Sequence, residues 1–163
     1  KALGATTIGT AGGAEKCALA KANGFDHVID YTSTDFEAEV MRLTNGEGVT
    51  VAYDSVGNDT MARTITSTKR RGTIIAFGQS SGPYADFKIT DLSKGSYYLS
   101  RPTLFHFVGD RSWLDAASVK LFKAVTDGTI NVSINQRFAL EDVAKAHDAL
   151  TGRATTGCTI LTV

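Results

Sequence analysis

The chain has 163 residues, 42% of them hydrophobic and 21% charged, which suits one globular domain of ordinary size with a well-buried core. Lys plus Arg and Asp plus Glu balance at 17 each, so a general nucleic-acid surface, which needs a basic excess, is not expected. No apolar run approaches the ~20 residues of a membrane span. The opening residues do not read as a leader, and Cys17 and Cys158 are far apart with no CxxC partner, which fits a reducing, cytoplasmic setting without a disulfide framework or a cysteine zinc site.

Lys1-Ala2-Leu3-Gly4-Ala5 reads as the last turn of a helix stopped by Gly4. Thr6–Thr10 is β-branched and reads as a strand, Ala11-Gly12-Gly13 as a turn, and Ala14–Asn23 as a helix stopped by Gly24. His27–Tyr31 is the next strand, and Thr34-Asp35-Phe36-Glu37 has the spacing of a capping box opening a helix to about Thr44. A strand over Val49–Tyr53, a helix over Asp59–Thr68 and a strand over Thr73–Phe77 follow, then a loop from Gly78 to Pro83. Alternation of strand and helix at ~20-residue spacing predicts an α/β fold with parallel strands, a doubly wound sheet.

Beyond Tyr84 the rhythm changes. Ser96–Ser100 reads as a strand, and Ser112–Thr126 as a helix with Trp113, Ala117, Val119 and Phe122 available for packing. Asn131–Ile134 reads as a strand, Val143–Leu150 as a helix with Val143, Ala146, His147 and Leu150 on one face, and Cys158–Val163 as a closing strand.

The chemistry concentrates after the strands. In a dinucleotide-binding fold, an acid at the end of the second strand bonds the ribose 2′-hydroxyl and selects NAD, whereas a nearby base accommodates a 2′-phosphate. Here small neutral residues follow Thr10, and Lys16 opens the next helix, so a phosphate would meet backbone N–H groups and an ammonium. On the turn alone, a glycine turn with an exposed lysine is the simpler reading.

Lys1–Lys16, His27-Val-Ile-Asp-Tyr31, Tyr53-Asp-Ser-Val-Gly57, Phe77-Gly78, Ser100-Arg-Pro-Thr-Leu104 and Arg153-Ala-Thr-Thr-Gly157 stand in order with even spacing. Together they resemble the quinone oxidoreductases, the zeta-crystallin-like, zinc-independent branch of the medium-chain dehydrogenases/reductases, over the whole chain. The resemblance implies a Rossmann-like NADPH-binding domain over residues 1–127, lacking its first strand and glycine-rich phosphate loop, and a piece of the catalytic lobe over 128–163. It implies that Gly12, Gly13 and Lys16 surround the 2′-phosphate and that Tyr31 lies beside that phosphate or the adenine. Ser55 would sit beside the cofactor, and Phe77, Gly78, Gln79 and Ser80 would run along its nicotinamide half. Leu104 and Phe105 would approach the nicotinamide, and Arg153 would return to the phosphate region. Read without the resemblance, Phe77 is equally a core residue and Ser55 a helix cap.

The implied activity is NADPH-dependent reduction of a quinone or similar conjugated carbonyl; these 163 residues alone are expected to bind NADPH weakly or not at all and to be inactive. The residues nominate no proton donor. An enoyl or alkenal double-bond reductase would use nearly the same residues, and a non-catalytic nucleotide- or RNA-binding or structural protein is the reading from another class. The resemblance also implies a homodimer through an edge strand around Tyr97–Leu99. Gly78-Gln79-Ser80-Ser81-Gly82 matches the G-x-S-x-G string, but Pro83 and the residues after it offer no helix for a hydrolase elbow. His27, His106 and His147 lack metal-ligand spacing, His147 reads as a packed histidine, and Lys69-Arg70-Arg71 reads as a solvated turn.

Overall fold

The alternating pattern folds as alternating elements in a computed structural model that describes every residue except Arg153. Among the described residues these are β1 (Ile8–Ala11), α1 (Ala14–Ala22), β2 (His27–Asp30), α2 (Phe36–Leu43), β3 (Val49–Asp54), α3 (Met61–Thr66), β4 (Thr68–Ala76), β5 (Tyr98–Ser100), α4 (Phe105–Val108), α5 (Arg111–Thr126), β6 (Ile134–Ala139), α6 (Val143–Thr151) and β7 (Cys158–Thr162). Short 3-10 turns occupy Ile89–Lys94 and Leu140–Asp142. Leu3–Leu114 form one compact unit and Asp115–Val163 another, with α5 running across the boundary.

The first unit is α/β with parallel sheets. β1 pairs with β2, from Ile8 opposite His27 to Ala11 opposite Asp30. β3, β4 and β5 pair in that order in a second parallel sheet. Among the described residues no ladder joins β1 to β3. In a doubly wound sheet the first strand stands between the second and the fourth. With β1 and β2 in one sheet and β3 to β5 in another, the break falls between β1 and β3.

Packing bridges the break. Ile29, Phe36 and Val40 are buried together, with Ile8 of β1 and Val49 of β3 both against them. A second core joins Met61 and Ile65 of α3 to Ile74 and Ala76 of β4, covered by Tyr84, Phe87, Tyr97 and Leu99. Period-two burial along β4 puts Ile74 and Ala76 on the same covered face. The Arg63 guanidinium lies 4.6 Å from the centre of the Phe36 ring, tying α3 to α2.

Several local expectations change. The cap of α2 is Asp35, whose carboxylate accepts from the Glu37 N–H at 3.1 Å; this residue, one nearer the helix, replaces the Thr34–Glu37 box. Lys1–Gly4 is a single turn closed by the Gly4 N–H on the Lys1 carbonyl at 2.8 Å. β4 begins at Thr68, five residues before its β-branched stretch, and β5 is only three residues long.

In the second unit β6 pairs in parallel with β7, and α6 lies between them in sequence. The strand is Ile134–Ala139, not Asn131–Ile134, because Phe138 and Ala139 continue a ladder opposite Leu161 and Thr162. Of the expected apolar face of α6 only Ala146 is buried; His147 is exposed, so it is not a packed histidine. Val119 and Phe122 of α5 are also exposed within this unit. Among the described residues no helix is long and apolar enough to cross a membrane.

Candidate functional site

In the first unit, the expected site residues from Gly12 to Ser80 follow the carboxyl ends of parallel strands. Gly12 and Gly13 follow β1, Tyr31 follows β2, Ser55 follows β3, and Phe77–Ser80 follow β4. Open parallel sheets bind ligands outside these ends, where the loops are free to vary and helix N-termini point outward.

At the first rim, Gly12, Gly13 and Tyr31 meet. A Cβ on Gly12 would stand 2.9 Å from the Tyr31 hydroxyl, so a side chain there would push the phenol away from this turn. Gly13 caps α1 with φ +89°, a left-handed conformation that a side chain would strain. Lys16 is half-buried on the first turn of α1.

The structure adds a group that the sequence left out. No acid follows Thr10, but Asp30, at the end of β2, reaches the same turn from the neighbouring strand. Its Oδ1 accepts from the Gly13 N–H at 3.0 Å, the Thr32 N–H at 3.0 Å and the Thr32 hydroxyl at 2.6 Å. The Thr32 hydroxyl first, then the Gly13 and Thr32 N–H groups, hold this carboxyl below the usual carboxylate range. Partial burial, and then the Asp30 charge, push the Cys17 thiol up, which makes it a poor nucleophile.

At the second rim, Ser55, Phe77, Gly78, Gln79 and Ser80 come together on two loops joined along their length. The Phe77 and Gly78 N–H groups donate to the Asp54 carbonyl at 2.9 and 3.3 Å, Ser80 N–H to Ser55 at 3.1 Å, and Ser81 N–H to Val56 at 2.8 Å. Gly78 makes the approach possible: a Cβ there would stand 2.5 Å from the Ser55 carbonyl oxygen. Beneath the junction the Asp54 carboxylate, 4% exposed, accepts from the Val56 and Gly57 N–H groups at 2.8 and 2.9 Å. The Thr60 and Thr64 hydroxyls donate to it as well, at 2.8 and 2.7 Å. Asp54, Thr60 and Thr64 were not singled out from the sequence; the available signal was an acid at a strand end followed by Gly at the third position.

Phe77 is 52% exposed and meets the Tyr53 ring edge-on at 6.4 Å, so it is not a core residue. Ser55 lies in the loop, and the cap position of α3 belongs to Thr60, so Ser55 is not a helix cap. Leu104 and Phe105 lie apart from both rims in sequence, at the start of α4 and largely exposed. Arg153 lies outside the described residues.

The sequence profile of the zinc-binding dehydrogenases matches residues 1–112. The chain belongs to the zinc-binding dehydrogenase family. Within this family it is 41% identical to a quinone oxidoreductase of Pseudomonas aeruginosa, over 99% of this chain and 50% of that protein. It is 38% identical to a 2-haloacrylate reductase of a Burkholderia species, over 98% of this chain and 48% of that protein. The crystal structure of Escherichia coli quinone oxidoreductase complexed with NADPH superposes with a TM-score of 0.94 at 38% identity, over 99% of this chain and 51% of that one. The chain thus spans about half the length of these dehydrogenases. Among the described residues no three His, Cys, Asp or Glu side chains gather as a metal site.

Proposed function

We propose that this chain is the NADPH-binding half of an NADPH-dependent quinone reductase. The observation that carries the reading is the placement of the site residues after the ends of parallel strands, with a glycine turn, Lys16 and Tyr31 at one end and the Ser55–Ser80 junction at another. These groups fit a dinucleotide: cation and phenol for the 2′-phosphate and adenine, and an exposed aromatic shelf of Tyr53 and Phe77 for a flat ring.

When bound, NADPH supplies a hydride to a conjugated acceptor. Lys16 and Tyr31 bind and orient the adenosine end. The Asp54 clamp fixes the loop that carries Phe77, Gly78, Gln79 and Ser80, so the nicotinamide half rests on groups that need no rearrangement. Leu104 and Phe105 contribute apolar surface that keeps water from the transfer. No zinc takes part. The parent enzyme is a cytoplasmic homodimer, joined through β5, the outer strand of its sheet, where Tyr98 is exposed.

The resemblance to the 2-haloacrylate reductase favours a second substrate class, an activated carbon–carbon double bond. Steady-state kinetics of the parent protein separates the readings. Faster turnover of 1,2- or 1,4-quinones with NADPH than with NADH, and faster than that of enoyl thioesters or 2-haloacrylates, supports quinone reduction. Preference for an unsaturated acid or thioester supports the second class, and absence of turnover with all of them overturns both.

A further inference from the structure

The other end of β4 carries a separate concentration of charge. Two steps along β3, from Val49 to Val51, are matched by five along β4, from Thr68 to Thr73, so three extra residues leave the ladder as a bulge. Those residues fall within Lys69-Arg70-Arg71-Gly72, and the three cations line an open groove of about 510 Å³ together with Lys94, Thr66, Tyr97 and Glu47. Among the described residues, the side chains of Lys69, Arg70 and Arg71 have no hydrogen-bond or ion-pair partner, while Lys94 pairs with Asp91 at 3.1 Å. Arg71 adopts φ +61°, a left-handed conformation unusual for a long side chain, and its N–H donates to the Gly95 carbonyl at 2.7 Å.

Like charges in consecutive positions repel one another, and a bulge that forces one of them into left-handed backbone adds strain. Neither contributes to the core, since Arg70 and Arg71 are exposed. We propose that this groove binds a small polyphosphate, inorganic or organic, through Lys69, Arg70 and Arg71. Three cations along ~10 Å of chain match two or three linked phosphates, and guanidinium forks take phosphate oxygens in pairs. A lone carboxylate ligand would leave most of the charge unanswered. A nucleic acid is disfavoured by the zero net charge of the chain and by the lack of an exposed aromatic platform, since Tyr97 packs into the Ile74 core. The groove opens at the amino end of β4, whereas the proposed cofactor loop follows its carboxyl end, so the two sites are distinct and this proposal does not depend on the cofactor reading.

Isothermal titration with inorganic tripolyphosphate, with monophosphate and with a short single-stranded oligonucleotide tests it. Tripolyphosphate is expected to bind more tightly than either, to weaken by more than about tenfold in K69Q/R70Q, and to bind K16Q unchanged. Arg71→Gly relieves the left-handed strain, so it keeps the fold while weakening binding. No binding to the unsubstituted chain, equal binding to K69Q/R70Q, loss of binding in K16Q, or tighter binding of the oligonucleotide would each overturn the proposal.

Discussion

The two rims are built at equivalent places, the carboxyl ends of parallel strands, and are held by carboxylates of opposite circumstance. Asp54 is buried and its oxygens accept from two N–H groups and two hydroxyls, so the junction of the 54–60 and 77–82 loops stands ready-made. Asp30 accepts through one oxygen from the Thr32 N–H and hydroxyl beside it, and from the Gly13 N–H of the neighbouring turn. The first arrangement is structural: removing it costs folding energy. The second is electrostatic: it sets how much negative charge a ligand meets at the turn. A cofactor would thus find a rigid seat at one end and a tunable charge at the other.

Asp54→Ala tests the structural half most severely. It orphans donors on Val56, Gly57, Thr60 and Thr64, and a loss of about 3 kcal/mol or more is expected in urea denaturation. Gly78→Ala drives a methyl against the Ser55 backbone and is expected to cost about 2 kcal/mol while weakening NADPH binding with NADH binding reduced equally. If Asp54→Ala left stability unchanged, the contrast between the rims would be lost.

The electrostatic half predicts smaller effects that depend on the cofactor. In the parent protein Lys16→Gln is expected to weaken NADPH about tenfold in a fluorescence titration and to leave NADH nearly unchanged. Asp30→Asn is expected to act in the opposite direction, tightening NADPH by a few-fold, because it removes a negative charge beside the turn proposed to receive the 2′-phosphate. The same variant carries the smallest prediction. The Asp30 carboxyl is depressed in the folded state, so its contribution to stability is present above about pH 4 and fades as pH falls through the lower folded value. Denaturation of the chain and of Asp30→Asn should therefore differ at neutral pH and converge in acid.

Much of this was legible in the sequence, and for local reasons. Glycine stops and β-branched runs marked the first three strands, and the carboxyl end of the fourth, within a few residues, because those signals act between chain neighbours. The grouping of Gly12 with Gly13, and of Ser55 with Phe77–Ser80, was implied by the family resemblance. What escaped were contacts made between elements. Asp30 was read as part of a motif, and its reach to Gly13 depends on the register of β1 against β2. Asp54 was passed over because its four donors are separated from it by up to ten residues. The bulge at Lys69–Gly72 was hidden for the same reason, since only pairing with β3 shows that residues have left the ladder.

The central claim, that the carboxyl-end rims receive NADPH, is tested most directly by amide NMR of the parent protein with saturating NADPH. The account predicts chemical-shift changes at Gly12, Gly13, Lys16 and Tyr31 and at Ser55 and Phe77–Ser80, with NADH moving the second group but little of the first. Shifts confined to the Lys69–Arg71 bulge, or none at either rim, would contradict it.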